Sequence, residues 1–179
     1  MDQENLEALR YPIGKFIVPE TYNSEIREQS LQAIAQMPEK LIAATAGLEE
    51  SQLTTPYREG GWNIKQIVHH LADSHMNSFI RFKLALTEDN PRIKAYDQDA
   101  WAKGIDATYP INSSLGILTG VHERLATVLK HMSPEDYNRT LFHPEWERNL
   151  SLDFMSALYG WHSKHHLHQI EQLRQRQGW

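Results

Sequence analysis

Apolar residues recur at three- and four-residue intervals in four long stretches of the chain, and strict alternation is nearly absent. The first stretch runs from Asn23 or Ser24 to Ala46, with Ile34, Met37 and Leu41 on its stripe and Leu48 just beyond. Glu25 and Glu28 stand in its first turn, where carboxylates suit the helix dipole, and Gly47 is a natural stop. Pro38 is expected to kink or split it, because proline has no N–H for the helical ladder. The second starts after the loop Gly60-Gly61-Trp62, with Asn63 as N-cap and Gln66 three residues on in a capping-box pattern. Ile64, Ile67, Val68, Leu71, Phe79 and Phe82 keep one of its faces apolar to about Leu86. The third, from Asn112 to about His131, carries Leu115, Leu118, Val121, Leu125, Val128, Leu129 and Met132. The fourth begins near Ser151 and ends near Gln175, and its stripe of Leu152, Met155, Leu158, Tyr159, Ile170 and Leu173 is interrupted by His162 and His166.

The connections are long. Residues 87–111 hold Pro91, Tyr96, Asp97, Trp101, Gly104 and Pro110, with a short helix expected from Asp97 to Lys103. A loop of that length is usually functional, for instance a lid, and Trp101 is its candidate lid residue. Ser133-Pro134-Glu135 reads as a helix start, and Leu141 to Leu150 as a small hairpin. These elements predict an all-α fold, a four-helix bundle with long connecting loops, forming a single domain over residues 1–179.

Composition narrows the functional classes. The chain has 179 residues, 40% hydrophobic and 23% charged, which is ordinary for a globular protein. A net charge of −5 and the lack of any Lys/Arg cluster argue against a nucleic-acid partner. No apolar run approaches the ~18 residues of a membrane span, and Met1-Asp2-Gln3-Glu4-Asn5 lacks the basic start of a secretory signal, so a cytoplasmic protein without a membrane partner is expected. With no cysteine, the chain has neither a disulfide nor a thiolate metal site nor a cysteine nucleophile. Any thiol chemistry must use a thiol from outside. Histidine is the oddity, at 10 residues, four of them in Trp161-His162-Ser163-Lys164-His165-His166-Leu167-His168.

Position on the helical wheel sorts these histidines. Met155, Tyr159, Ile170 and Leu173 define the buried direction of the fourth helix, and His162 and His166 fall close to it. His165 lies well to the side and His168 nearly opposite, so both are expected at the rim or in solvent. Two inward imidazoles one turn apart are either separately hydrogen-bonded core histidines or ligands of a common divalent metal, which supplies one partner for both. His-x-x-x-His is a weak motif that needs a third ligand from another helix, and Ser163 rather than Glu follows His162, so this is not the metalloprotease motif. Periodicity does not choose between His70, His75 and His122. His69 points farther from the apolar face, and His75 and His122 are equally read as packed, hydrogen-bonded residues or as outer partners of metal ligands.

The stretch from Gly60 to Asp73 resembles the first metal motif of the DinB/YfiT-like superfamily: Trp62, the cap Asn63, Gln66 four residues after the Trp, and His70 eight after it, followed by Leu71. His162, His166, Gln169 and Ile170 resemble its second motif, with His168 where many relatives carry Gly. Tyr11-Pro12-Ile13-Gly14, Thr55-Pro56-Tyr57-Arg58, Ala72-Asp73-Ser74-His75-Met76-Asn77, the run from Ile80 to Glu88, Tyr96-Asp97 with Trp101, and Gly178-Trp179 are similar to the YfiT subgroup, which includes bacillithiol S-transferases. The resemblance implies an up-down-down-up four-helix bundle. It also implies one divalent metal per chain, usually zinc with nickel as a substitute, on His70, His162 and His166, and a cytoplasmic homodimer.

Three histidines with a fourth position open are the pattern of a catalytic site. Bound water there becomes hydroxide near pH ~7, which gives a metal-dependent hydrolase. A bound thiol is deprotonated and becomes a nucleophile, which gives a transferase of a low-molecular-weight thiol to an electrophile. The second reading is preferred, since hydrolysis usually wants a general base and no carboxylate is evidently placed for it. Asp73, one turn after His70, is either a group orienting a ligand or a solvated helix residue. Arg58, Arg81, Lys83 and Tyr96 are candidates to meet an anionic thiol, against the commoner case of surface charge. Trp62, Phe79, Phe82, Trp101, Trp146 and Trp161 are candidates to line a pocket, against core or dimer-interface roles. A non-catalytic bundle that mediates protein contacts would bind no metal. DNA binding has only the superfamily's "damage-inducible" name behind it.

Overall fold

A computed structural model describes residues 3–179. In chain order the elements are α1 (Gln3–Arg10), α2 (Ser24–Thr45), α3 (Glu50–Leu53), α4 (Ile64–Thr87), α5 (Gln98–Trp101), a 3-10 turn (Ile105–Thr108), α6 (Asn112–His131), α7 (Pro134–Asn138), β1 (Thr140–His143), β2 (Arg148–Ser151) and α8 (Leu152–Gln177). The long helices start on the expected caps. The Asn63 side chain accepts from the Gln66 N–H at 2.8 Å, while Gln66 Oε1 accepts from the Asn63 N–H at 3.1 Å. Ser151 Oγ accepts from the Phe154 N–H at 3.1 Å at the head of α8. α1 and α3 have no counterpart among the four expected stretches, being too short to show an apolar repeat.

The helices α2, α4, α6 and α8 form the bundle, with α2 and α4 each packed on α6 and α8. Side-chain pairs give the directions. Arg27 meets Asp153, Ser30 meets Gly160, and Ala44 meets Arg174, so α2 and α8 run parallel. His70 and His75 both meet His162, while Ser74 meets Tyr159, so α4 runs against α8. His69 meets Ser114, His75 meets His122 and Phe79 meets Arg124, so α4 and α6 run parallel. The order is up-down-down-up. Two parallel neighbours cannot be joined by a tight turn, which is why the α4–α6 connection is long and carries α5 and the 3-10 turn.

At the α2–α8 contact a Cβ on Gly160 would stand 2.9 Å from Ser30 Cα, so only glycine admits this approach. Above it the Arg27 guanidinium grips the buried Asp153 carboxylate through two bonds of 2.7 and 2.8 Å.

Pro38 neither kinks α2 into two helices nor ends it. Proline leaves the carbonyl one turn earlier, that of Ile34, without its helical donor. His122 Nδ1–H donates to that carbonyl at 2.6 Å, so a side chain from α6 replaces the missing N–H.

The apolar core lies in two parts. One gathers Met37, Leu41, Ile64, Ile67, Leu71, Leu118 and Ile170, and the other Ile34, Phe82, Leu125, Leu141, Leu152 and Met155. Between them stand His75 on α4, His122 on α6, and His162 and His166 on α8, and His70 lies beside His162 and His166. The histidines thus form a polar layer inside the bundle. Among the described residues no helix is long and apolar enough to cross a membrane.

Candidate metal centre

His70 on α4 and His162 and His166 on α8 each place one ring nitrogen so that all three lie within 4.8 Å of one another. The Nε2 atoms of His70 and His162 face each other at 3.2 Å. The i, i+4 spacing puts the His162 and His166 rings 4.6 Å apart between centroids, nearly perpendicular. Trp62 lies against the open side of His70, with centroids 4.6 Å apart. Gln66 holds the neighbouring loop, since its Nε2 donates to the Ala102 carbonyl at 2.8 Å while its Oε1 caps α4.

Hydrogen bonds stand behind two of the rings, and the one behind His166 fixes its tautomer. Gln169 Nε2 donates to the Arg10 carbonyl at 3.0 Å and to His165 Nε2 at 3.1 Å, which turns its Oε1 toward His166 Nδ1 at 2.8 Å. His166 therefore carries its proton on Nδ1 and presents a bare Nε2 to the cluster. His162 Nδ1 stands 3.1 Å from Nε2 of the fully buried His75. A His162 proton donated there leaves its Nε2 bare as well. Imidazole nitrogens gathered this closely share either a proton or a cation, and the neutral three-nitrogen set fits a bound metal ion.

The rings are held neutral. Burial lowers the His70 pKa to about 4. For His162 and His166 burial is again the largest cause, followed by His166 for the one and His70 for the other, and both fall well below the ordinary value. Neutral imidazole is the form that ligates. No thiolate is available and no carboxylate is hydrogen-bonded to these rings among the described residues, and a neutral three-nitrogen set suits several divalent first-row metals.

The other candidate residues separate clearly. His75 belongs to the centre's surroundings, bonded to His162 and stacked on His122 with centroids 4.6 Å apart. His122 serves Ile34, and His69 is turned away, donating from Nε2 to the Tyr109 carbonyl at 3.1 Å and accepting on Nδ1 from Ser114 at 2.7 Å. His165, expected at the rim, is only 6% exposed. Its side of α8 is covered, because Tyr11 from the segment after α1 packs on its ring at 5.7 Å and Trp161, four residues earlier on α8, stacks on it at 4.5 Å. Asp73 is half-buried and bonds to none of the histidine rings, and burial followed by Asp106 raises its pKa. Lys83 is exposed on the outside of the bundle and Phe82 is core.

Two chambers reach the centre, and His162 and Gln98 line both. One, of about 410 Å³, also holds His70, His166, Arg10, Arg58, Trp62 and Trp161. The other, of about 490 Å³, holds Arg81, Tyr96, His143, Trp146, Met155 and Leu158 among its walls. The short α5, capped by Asp97 accepting from the Asp99 and Ala100 N–H groups, brings Gln98 between them. Trp101 is 45% exposed and stacks on Tyr96 with centroids 4.5 Å apart, so it covers the loop rather than the cluster. Gln98 carries no recognisable sequence signal.

Comparisons with known proteins show what the whole chain is similar to. A protein from Geobacillus thermodenitrificans named "Putative metal-dependent hydrolase" is 46% identical over 97% of this chain and 98% of its own. "Putative metal-dependent hydrolase YfiT" of Bacillus subtilis is 42% identical over 96% of this chain and 97% of its own. The solved structure of YfiT, described as a probable metal-dependent hydrolase with an unusual four-helix bundle topology, superposes with a TM-score of 0.92 at 41% identity, covering 96% of this chain and 99% of that one. The family model for the DinB superfamily matches residues 33–170, a span that takes in the whole histidine layer, and the chain belongs to the DinB superfamily.

Proposed function

We propose that His70, His162 and His166 hold one divalent cation, most simply zinc, with one coordination position open, and that the protein transfers a low-molecular-weight thiol to an electrophile. The observation that carries this is the convergence of imidazole nitrogens from two helices, 3.2 Å apart at the closest pair. A cation held there acidifies the donor in its open position, thiol or water. The chain's own residues then have three tasks. Gln169 holds His166 in its tautomer, and His75 braces the His162 ring from behind. Burial keeps those rings neutral. The two chambers, which share His162 and Gln98 in their walls, offer room for two reactants beside the cluster.

The relatives' printed names favour a second reading, metal-dependent hydrolysis. Against it, no carboxylate bonds to the histidine rings among the described residues, whereas activated water usually relies on a general base beside the metal. A thiol needs none, because its proton is lost on coordination. The test offers zinc-loaded protein a panel of thiols with 1-chloro-2,4-dinitrobenzene, and in parallel a panel of esters and amides without thiol. Metal-dependent release of chloride with formation of the thioether is expected. Turnover of the ester or amide panel, with no conjugation by any thiol, would establish hydrolysis instead. A cytoplasmic homodimer is part of the same reading, and sedimentation of the full chain tests the dimer.

A further inference from the structure

Arg81 is 8% exposed and has no carboxylate partner among the described residues. A buried guanidinium is ordinarily paired, since desolvating an unpaired charge costs several kcal/mol, on the order of the penalty for any buried ion. Of its five N–H donors, Arg81 uses one in a side-chain bond, from Nη2 to the Lys94 carbonyl at 3.2 Å. It lines the 490 Å³ chamber that ends at His162. The acidic residues of that chamber do not neutralise it: Asp97 accepts from the backbone N–H groups of α5, and Glu145 is exposed at the rim. His143 stands in the same chamber, 5% exposed, with Nδ1 lacking any partner. The remaining walls are mixed, with Leu150, Met155, Leu158 and Trp146 supplying apolar surface beside the hydroxyl-bearing Ser74, Tyr96 and Tyr159.

The spacing is systematic. On α4, residues 70, 74, 78 and 81 share one face, so Arg81 stands about three turns beyond His70 on the side that meets α8. A molecule lying in the chamber meets the Arg81 cation, apolar surface from Leu150, Met155, Leu158 and Trp146, and His162 of the cluster.

We propose that Arg81 anchors a carboxylate of the substrate that enters this chamber, a small organic acid whose apolar body carries its reacting end to the histidine cluster. His143 Nδ1 is the second group placed for that carboxylate. The assignment rests on the reading of the cluster as the reaction centre, and it names Arg81 as a specificity-determining residue for one of the two reactants.

The test is calorimetric titration of the full-length, zinc-loaded protein with 4-phenylbutyrate and with 4-phenylbutanol, which has the same body without the charge. Wild type is expected to favour the carboxylate at least tenfold. Arg81→Met is expected to erase that preference and Arg81→Lys to keep part of it. Because the ligand-free protein carries the guanidinium unpaired, the melting temperature of Arg81→Met is expected to match or exceed that of wild type, whereas a structural arginine would lower it. Equal affinity for the two compounds, no measurable binding of phenylbutyrate, a preference that survives in Arg81→Met, or a variant that fails to fold would each overturn the proposal. So would loss of carboxylate binding on chelating the metal with Arg81 intact, since the anchor would then be the metal. Conjugation is not read in this titration. A protein that binds the carboxylate yet conjugates no thiol keeps the anchor and loses the transfer reading.

Discussion

Replacing His162 with alanine is expected to weaken divalent-metal binding by two to three orders of magnitude and to abolish metal-dependent turnover. Binding free energies for structural zinc run to roughly 10–16 kcal/mol, so one ligand of four contributes about 3–4 kcal/mol, a factor of about a hundred to a thousand. His162 is the ring on which the layer converges, with His70 Nε2 at 3.2 Å on one side and His75 Nε2 at 3.1 Å on the other. His168→Ala is the control. It stands on the same helix, partly exposed, with its Nδ1 bonded to the Lys164 carbonyl at 2.8 Å, and its replacement is expected to leave affinity unchanged. Competition against a chromophoric chelator measures both. Equal affinity of His162→Ala and wild type would mean that the cation, if any, sits elsewhere.

The metal-free protein is expected to lose stability steeply as pH falls from about 6.5 to about 4. Burial lowers the pKa of His70 from 6.5 to about 4, and burial with a smaller contribution from His168 does the same to His165. In the unfolded chain these rings take up protons near their ordinary value, while in the native state they resist until about pH 4. The unfolded state therefore binds more protons across that window, and stability falls with acidification by about 1.4 kcal/mol per pH unit for each such ring. Two rings over that window amount to roughly 6–7 kcal/mol, comparable with the whole stability of many domains. Lowered values at His75, His122, His162 and His166 act in the same direction. Denaturant unfolding at a series of pH values, with chelator present, measures the slope. A flat profile between pH 6.5 and 4 would show that the rings are solvated rather than buried.

The bundle was legible because its signals are local. Asn63 with Gln66 and Ser151 before Leu152 mark helix starts through bonds that a sequence can show, and the three- to four-residue repeat marks the faces. What stayed hidden depends on contacts distant in the chain. Nothing near Pro38 reveals that His122 supplies the donor Ile34 would otherwise lack. His165 is buried by Tyr11, from a segment more than a hundred positions away. The wheel placed His75 and His122 inward but could not tell which imidazoles from different helices share a centre, because angular position on one helix says nothing about height against its neighbour. The height comes from packing: His70 stands level with His162 and His166, His75 one ring behind, and His122 one ring farther. Arg81 was one of several charged residues that the sequence could not rank. Its distinguishing property, burial without a carboxylate, exists only in three dimensions.

X-ray absorption at the zinc edge, on the loaded full-length protein before and after addition of a thiol, tests the central claim most directly. Three imidazole nitrogens at about 2.0–2.1 Å with one further light ligand are expected at first, and one sulfur at about 2.3 Å replacing that ligand once thiol is added. A spectrum with fewer than two imidazoles, or a first shell of carboxylate and water alone, would contradict a cation held by His70, His162 and His166.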